Sequence, residues 1–426
     1  MNLLIKNGHI IDPANGRDGV SDILIKHGKI SNVAKNISKK TNKVIDAKNR
    51  IISPGLIDMH VHLREPGRED IETVASGTRA ALSGGITSVA CMPNTYPPID
   101  NCGEARRLKD IIKRDAACSV FIVGAITKER SGVEITDIKA MKEEGIIALS
   151  DDGAAVQNGS IMLRALKKAA ENDILVIAHC ENKNISKNGV VNEGIIATKL
   201  GLRGIPRKAE YEFVERDIGL AGEAKARIHI AHVSTRESVE IIRKAKKDGI
   251  PVTAEAAPHH FSMKENACET YDTRTKMNPP LRSIEDVEAI KEGLKDGTID
   301  TIASDHAPHG KHEKEITFDL AAFGIIGLET SLGLAIINLV DKKIISWQKL
   351  IELMSVNPAG ILGLKRKGNL SVGSDADITI IDPEKEWIYT RDSIRSESKN
   401  SPFINQRFKG KVTHAIVGGE ISYAAI

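Results

Sequence analysis

The chain of 426 residues sets 60 Lys and Arg against 57 Asp and Glu, a formal net charge of +3, and only 3% of it is aromatic. So even a balance gives no electrostatic footprint for nucleic acid or an anionic membrane, and so few aromatics argue against a base-stacking surface. Hydrophobic residues at 41% and charged residues at 27% fit a globular protein with one large domain and one smaller one. The opening Met1–Gly8 lacks the apolar core of a signal peptide. The apolar stretch from Phe323 to Val340 is broken by Glu329, Thr330, Ser331 and Asn338, which reads as a buried helix and not a membrane span. Five cysteines, Cys91, Cys102, Cys118, Cys180 and Cys268, form no CxxC pair, so reduced thiols in a cytoplasmic protein are expected.

The first fifty residues read as short strands, Leu3–Ile5, Ile10–Ile11, Asp22–Ile25, Lys29–Val33 and Lys43–Asp46, parted by Asn-Gly and His-Gly turn signals. The middle alternates apolar strand-like runs with helical patterns. Eight such runs end near His62, Pro93, Ile126, Asp152, Cys180, Ser234, His260 and Pro308. Alternation implies parallel βαβ units, and eight of them predict a closed (β/α)₈ TIM barrel. An open doubly wound sheet would gather its polar residues at one switch point, whereas here they follow many strands. Near the end, Asp377–Ile381 and Val412–Val417 are strand-like, and Gly418-Gly419 turns the chain into Glu420-Ile421. The expectation is an α/β chain: a barrel over residues 53–365, and a small β-sandwich domain built from 1–52 plus 366–426.

The ends of the predicted barrel strands carry the chemistry. Strand one ends in His60 and His62, and residues i and i+2 of a strand share a face, so both imidazoles can aim at one metal. Strand four ends in Ser150-Asp151-Asp152-Gly153, strand five in His179, strand six in His232 and strand eight in Asp305. In a barrel all these ends meet at the C-terminal face. Four histidines and two carboxylates exceed the needs of one tetrahedral ion and suit two metals sharing a bridging carboxylate. Alternation alone does not choose between Asp151 and Asp152. His229, three residues before His232, is expected to point out of the barrel, and His259 and His260 are expected to lie on strand seven in a structural role. His306 and Cys180 are expected to face away from the metals.

These residues resemble the amidohydrolase superfamily and, within it, the longer bacterial class of the dihydroorotase family. The resemblance rests on His60-Val61-His62-Leu63-Arg64-Glu65-Pro66-Gly67, Gly84-Gly85-Ile86-Thr87, Met92-Pro93-Asn94-Thr95, Ser150–Gly153, Lys276–Arg282, Asp305–His309 and Gly368–Asp377. It covers essentially the whole chain. It implies a zinc-dependent enzyme that reversibly cyclises N-carbamoyl-L-aspartate to L-dihydroorotate and water in pyrimidine biosynthesis. Its ligands would be His60, His62, Asp152, His179, His232 and Asp305, holding two Zn²⁺ per subunit or one, with Asp152 as the bridge. Asp305 would act as general acid and base beside a metal-activated hydroxide. His62, Arg64, Asn94, Asn278, His309, Phe323 and Gly324 would contact substrate. Related cyclic amidases such as hydantoinases and allantoinases often carry a carboxylated lysine on strand four; here Lys139 and Lys142 precede that strand's end. Arg64 with Asn94 points to an acidic ring, which separates this reading from those amidases. A non-catalytic subunit supporting aspartate transcarbamoylase would have lost ligands that this chain keeps. The resemblance also implies a homodimer and a complex with aspartate transcarbamoylase, and no nucleic-acid or membrane partner. Two positions depart from the family pattern: Gly310 stands where threonine is usual, and Ala322 where proline is usual. Both border the loop Gly310–Phe323, which carries Lys311 to Glu315, reads as too polar to be buried, and is expected to be a mobile lid.

Overall fold

The computed structural model describes residues 2–39 and 41–425. Eight parallel strands form one sheet in chain order: β6 (Leu56–Val61), β7 (Ile86–Cys91), β8 (Ser119–Gly124), β9 (Ala148–Leu149), β10 (Leu175–Ala178), β11 (Ile228–Ile230), β12 (Val252–Ala256) and β13 (Thr301–Ile302). The sheet closes just beyond β13, where Val61 bridges His306 in parallel and the His62 N–H donates to the His306 carbonyl at 2.9 Å. Strand alternation divides the apolar residues between two cores. Leu175 and Ile177 join Ile57, Met59, Val123 and Ala148 inside the barrel, while Val176 and Ala178 pack with the residues of the surrounding helices. Burial of this kind stabilises by roughly 1.5–3 kcal/mol for each large aliphatic side chain.

The helices form for local reasons that the packing then selects. In Arg236–Lys247, Val239, Ile242 and Ala245 are buried along one stripe. Thr235 caps its start by accepting from the Ser238 N–H, and Lys244, Lys246 and Lys247 sit at its negative end. Among the described residues no helix is long and apolar enough to cross a membrane. The Phe323–Val340 stretch instead contains the helix Ser331–Ala335, buried throughout.

The termini build a second sheet from β1 (Asn2–Asp12), β2 (Arg17–Lys26), β3 (Lys29–Ala34), β4 (Lys43–Asp46), β5 (Ile51–Pro54), β14 (Ile378–Ile388), β15 (Arg407–Val417) and β16 (Glu420–Ala424). Its order is β16-β15-β14-β5-β1-β2-β3, with β4 also paired to β1. The two predicted strands Leu3–Ile5 and Ile10–Ile11 are one strand with an irregularity between Ile5 and Gly8. The Asn7-Gly8 turn signal is absorbed as a bulge, because Asn7 takes a left-handed backbone (φ 63°) and its N–H donates to Asp22 Oδ1 at 2.9 Å. On either side of the bulge β1 pairs with β4 and with β5, the latter not foreseen. Leu3, Ile5, Ile23, Ile30, Ile52, Ile378 and Ile416, among others, form its core.

β14 divides this core from the barrel. Ile378 and Ile380 face the terminal core, while Thr379 Oγ1 donates to the Gly85 carbonyl at 2.5 Å. Gly85 (φ 83°) must be glycine here: a Cβ would lie 2.7 Å from Thr379 Cγ2 and 2.9 Å from Val412 Cγ2. His259 and His260 are not on strand seven as expected. Pro258, at the first turn, starts the short helix Pro258–Ser262 directly after β12 and carries both histidines.

Candidate metal centre

The C-terminal strand ends bring six side chains together. Asp152 is the hub. Its Oδ1 lies 3.5 Å from His60 Nε2, 3.5 Å from His179 Nδ1 and 3.6 Å from His232 Nε2, and its Oδ2 lies 3.5 Å from His62 Nε2. Asp305 Oδ1 lies 3.2 Å from His62 Nε2 and 3.6 Å from His60 Nε2. All six residues are buried. Asp151 does not join them: it turns away to accept from the Ile126 N–H at 2.9 Å, the Thr127 N–H at 3.1 Å and the Thr127 hydroxyl.

This donor set fits a metal. Most of these separations are long for hydrogen bonds. Yet ligands at about 2.0–2.1 Å from a tetrahedral zinc stand about 3.3–3.4 Å apart, near the observed spacing. Among the described residues, Asp152 Oδ1 and His60 Nε2 are buried without a hydrogen-bond partner, which is costly unless something else satisfies them. Two groups, His60–Asp152–His232 and His60–His62–Asp305, each hold their donor atoms within 4.8 Å of one another.

Backbone strain places two of these groups. His232 (φ 32°) and Asp305 (φ 48°) are left-handed non-glycine residues, as is Arg64 (φ 60°). The left-handed turn at His232 breaks strand alternation, so the expected opposition between His229 and His232 fails. His229 is fully buried within β11 and, instead of pointing outward, hydrogen-bonds to Thr253 Oγ1 at 2.8 Å and to Glu255 Oε2 at 3.1 Å. His306 does face away as expected, toward Glu72 Oε2 at 3.1 Å, and Cys180 is buried with its Sγ 3.7 Å from Asp217 Oδ2.

A second set of contacts orients the imidazoles. Glu255 Oε1 accepts from His60 Nδ1 at 2.5 Å, Asn94 Oδ1 from His62 Nδ1 at 2.7 Å, and Glu181 Oε2 from His179 Nε2 at 3.3 Å. Such contacts select the tautomer whose other nitrogen faces the metal. Burial alone would raise the Glu255 carboxyl, but the His60 and His229 rings outweigh it and hold it down at about 2. The Glu181 carboxyl is likewise brought to about 2, chiefly by His179 against the opposing effect of burial. Sequence reasoning missed both glutamates. The available signals were a lone carboxylate inside the apolar run Val252–Ala257, and an acid two residues after His179, the same spacing as His60 and His62.

The residues expected to contact substrate are held as follows. Arg64 is not paired with Glu65 or Glu69, which accept from the Val74 and Gly67 N–H groups. Its Nε donates to the Pro308 carbonyl at 3.2 Å, and one terminal nitrogen lies 3.5 Å from His309 Nε2. Burial lowers Arg64 to about 10, which leaves it a cation at neutral pH, and burial with this cation pushes His309 down to about 3, leaving it neutral. Asn278 Nδ2 donates to Glu181 Oε2 at 3.1 Å. Gly324 (φ 118°) packs where a Cβ would stand 2.6 Å from Ala307 Cβ, and Phe323 lies under Lys276 Nζ at 4.5 Å from the ring centroid. Arg282 is structural: buried, it donates to Ser234 Oγ at 3.0 Å and pairs with Glu210, which caps the turn after His232.

The loop from Gly310 is less polar inside than its sequence implies. Lys314 is buried and donates to the Ala322 carbonyl at 2.7 Å and the Gly324 carbonyl at 3.0 Å, because three main-chain oxygens replace its water.

Solved structures with the same architecture include the L-hydantoinase (dihydropyrimidinase) from Arthrobacter aurescens, with a TM-score of 0.90 and 26% identity over 100% of this chain and 97% of that one. A D-hydantoinase crystal structure gives a TM-score of 0.87 at 26% identity over 99% and 95% of the two chains. Barrel and donor cluster together define a metal-dependent cyclic amide hydrolase. A dihydro-orotase-like family profile matches residues 49–238. The dihydroorotase of Elusimicrobium minutum is 54% identical over 421 residues, covering 99% of this chain and 97% of that protein, and the dihydroorotase of Trichlorobacter lovleyi is 48% identical over 425 residues and the whole of both. The chain belongs to the dihydroorotase family.

Proposed function

We propose that the chain interconverts N-carbamoyl-L-aspartate and L-dihydroorotate plus water in pyrimidine biosynthesis, with zinc held by His60, His62, Asp152, His179, His232 and Asp305. The observation that carries this reading is Asp152, whose two oxygens face four imidazole nitrogens at 3.5–3.6 Å. An aspartate hub also weighs against a carboxylated lysine: Lys142 is exposed, and its Nζ bonds to the carbonyls of Asn172 and Asp173. Bound metal would supply a water of lowered pKa and polarise the amide carbonyl.

The chain's own groups do the rest. Asp305, beside His62 Nε2, takes the proton of the attacking water and returns it to the leaving amide nitrogen in the hydrolytic direction. Arg64, with its Nε tethered to Pro308, presents its terminal nitrogens to the substrate carboxylate as a fork. Asn94, its Oδ1 committed to His62, offers its amide N–H₂ to the ring. Neutral His309 stands beside Arg64 and, with the Phe323-Gly324 main chain, contacts the remainder of the substrate.

We further propose that 53–365 form the catalytic domain and that 1–52 with 366–426 form the smaller β domain. In this reading 310–323 act as a lid, and the protein is a cytoplasmic homodimer that can associate with aspartate transcarbamoylase. Sedimentation with and without that partner measures the assemblies. Hydrogen exchange across 310–323 should slow when dihydroorotate is added. The decisive experiment is turnover of L-dihydroorotate by zinc-reconstituted protein. Protein with full metal content and no turnover, alone or with aspartate transcarbamoylase, would sink the proposal.

A further inference from the structure

The segment 394–400 leaves the terminal sheet and runs across the top of the barrel. Its burial alternates: Ile394, Ser396, Ser398 and Asn400 are buried, while Arg395 and Glu397 are exposed. Among the described residues it pairs with no strand, so its inward side chains supply the hydrogen bonds that a ladder would. Ser396 Oγ and the Glu397 N–H bond to Glu72, and Ser398 Oγ donates to the Ile71 carbonyl at 2.7 Å. These three anchor the segment to the loop after β6.

Asn400 does something different. Its Oδ1 accepts from the His309 N–H at 3.2 Å, and its Nδ2 donates to the Ala307 carbonyl at 3.0 Å and the Gly324 carbonyl at 3.2 Å. Both amide hydrogens and the carbonyl oxygen are thus committed to two loops, one carrying His309 and the other Gly324. Its own main-chain carbonyl accepts from the Ile326 N–H at 3.1 Å. The residue is 5% exposed, so water does not substitute for these bonds.

We infer that Asn400 is a positioning residue, a clamp supplied by the C-terminal segment that sets the spacing between His309 and Gly324 and thereby the fit of the substrate. The inference rests on the proposed contact of His309 and Gly324 with substrate. An amide is suited to this task and a carboxylate is not, because Ala307 and Gly324 present only acceptors to it.

The test uses full-length, metal-loaded protein and dihydroorotate hydrolysis. Asn400→Ala should raise KM about tenfold while kcat changes by less than about threefold, because uniform substrate binding is lost and the metal cluster is untouched. Asn400→Asp should be at least as damaging. Ser398→Ala removes an anchor of the same segment and should lower Tm comparably while leaving KM within about twofold. Metal content should stay unchanged in all three. His309→Ala, measured alongside, separates the two readings. If His309→Ala raises KM and Asn400→Ala alters only Tm, the clamp is wrong and the substrate assignment stands. If neither moves KM, the substrate assignment fails and the clamp fails with it. A rise in KM for Ser398→Ala equal to that for Asn400→Ala would also overturn the clamp, because general loosening of the segment would explain both.

Discussion

The two halves of the metal cluster are built alike and supported unequally. On one side, His60 and His62 each have their far nitrogen held, by Glu255 at 2.5 Å and by Asn94 at 2.7 Å. On the other, His179 is held by Glu181 at the longer 3.3 Å, and among the described residues His232 Nδ1 has no hydrogen-bond partner. Imidazoles whose far nitrogen is held lose little freedom when they bind metal, and His60 also gains basicity from the Glu255 carboxylate behind it. The first half is therefore the preorganised one, and the second depends more on the ion itself. His179 Nδ1 and His232 Nε2 lie 2.8 Å apart.

Removing what the halves share should have the largest effect. Asp152→Ala should lose metal from both and abolish activity, measured by metal analysis and turnover. Asp151→Ala should keep its metal and lose stability instead, since it leaves Ile126 and Thr127 donors unpaired at about 1–3 kcal/mol each. The opposite pattern would mean that Asp151 is the hub.

Next comes Arg64, next to the better-supported half. Arg64→Met should lower kcat/KM for dihydroorotate by roughly 30- to 1,000-fold, the rate equivalent of about 2–4 kcal/mol. Residual activity on uncharged cyclic amides should fall far less. Equal losses on both substrates would make Arg64 a structural prop for Pro308.

The two orienting glutamates test the inequality of the halves. Glu255→Gln should weaken metal binding in the half containing His60 by about 10- to 100-fold, and Glu181→Gln should weaken the other half by less. Competitive chelator titration reads both affinities. If Glu181→Gln proves the more damaging, the ranking of the halves is reversed.

The smallest effect lies away from both halves, at Glu329, which accepts from the Arg395 and Ser396 N–H groups at the start of the segment over the barrel. Burial raises this carboxyl to about 7 from its ordinary 4.5. Its folded form therefore keeps a proton that the unfolded chain has lost, so stability is fully present below pH 4.5 and declines as pH rises toward 7. Tm of the natural protein should fall across that window relative to Glu329→Gln, with metal affinity unchanged in both halves. Parallel Tm curves for the two proteins would refute the shift.

Much of the site was legible because strand ends in a barrel must converge. His60, His62, His179, His232 and Asp305 each close an apolar run, and that pattern alone brings them to one face. What was illegible follows from the failure of simple alternation. His229 was expected to point outward, yet it lies buried against Glu255, because His232 adopts a left-handed backbone that no residue type announces. Lys314 looked too polar to bury, but the carbonyls of Lys276, Ala322 and Gly324 take the place of water.

The sequence by itself determined the barrel, the β-rich character of both ends and the donors at the strand ends, since these rest on period and spacing within a few residues. Only the tertiary structure decided that Asp152 turns inward while Asp151 caps Ile126 and Thr127, that Glu255 backs His60 from 195 residues away, and that Asn400 reaches His309 across 91. The physical reason is one of range. Hydrophobic periodicity is a local property of the chain, whereas the partner of a buried polar group is whatever the folded backbone carries to within hydrogen-bonding distance.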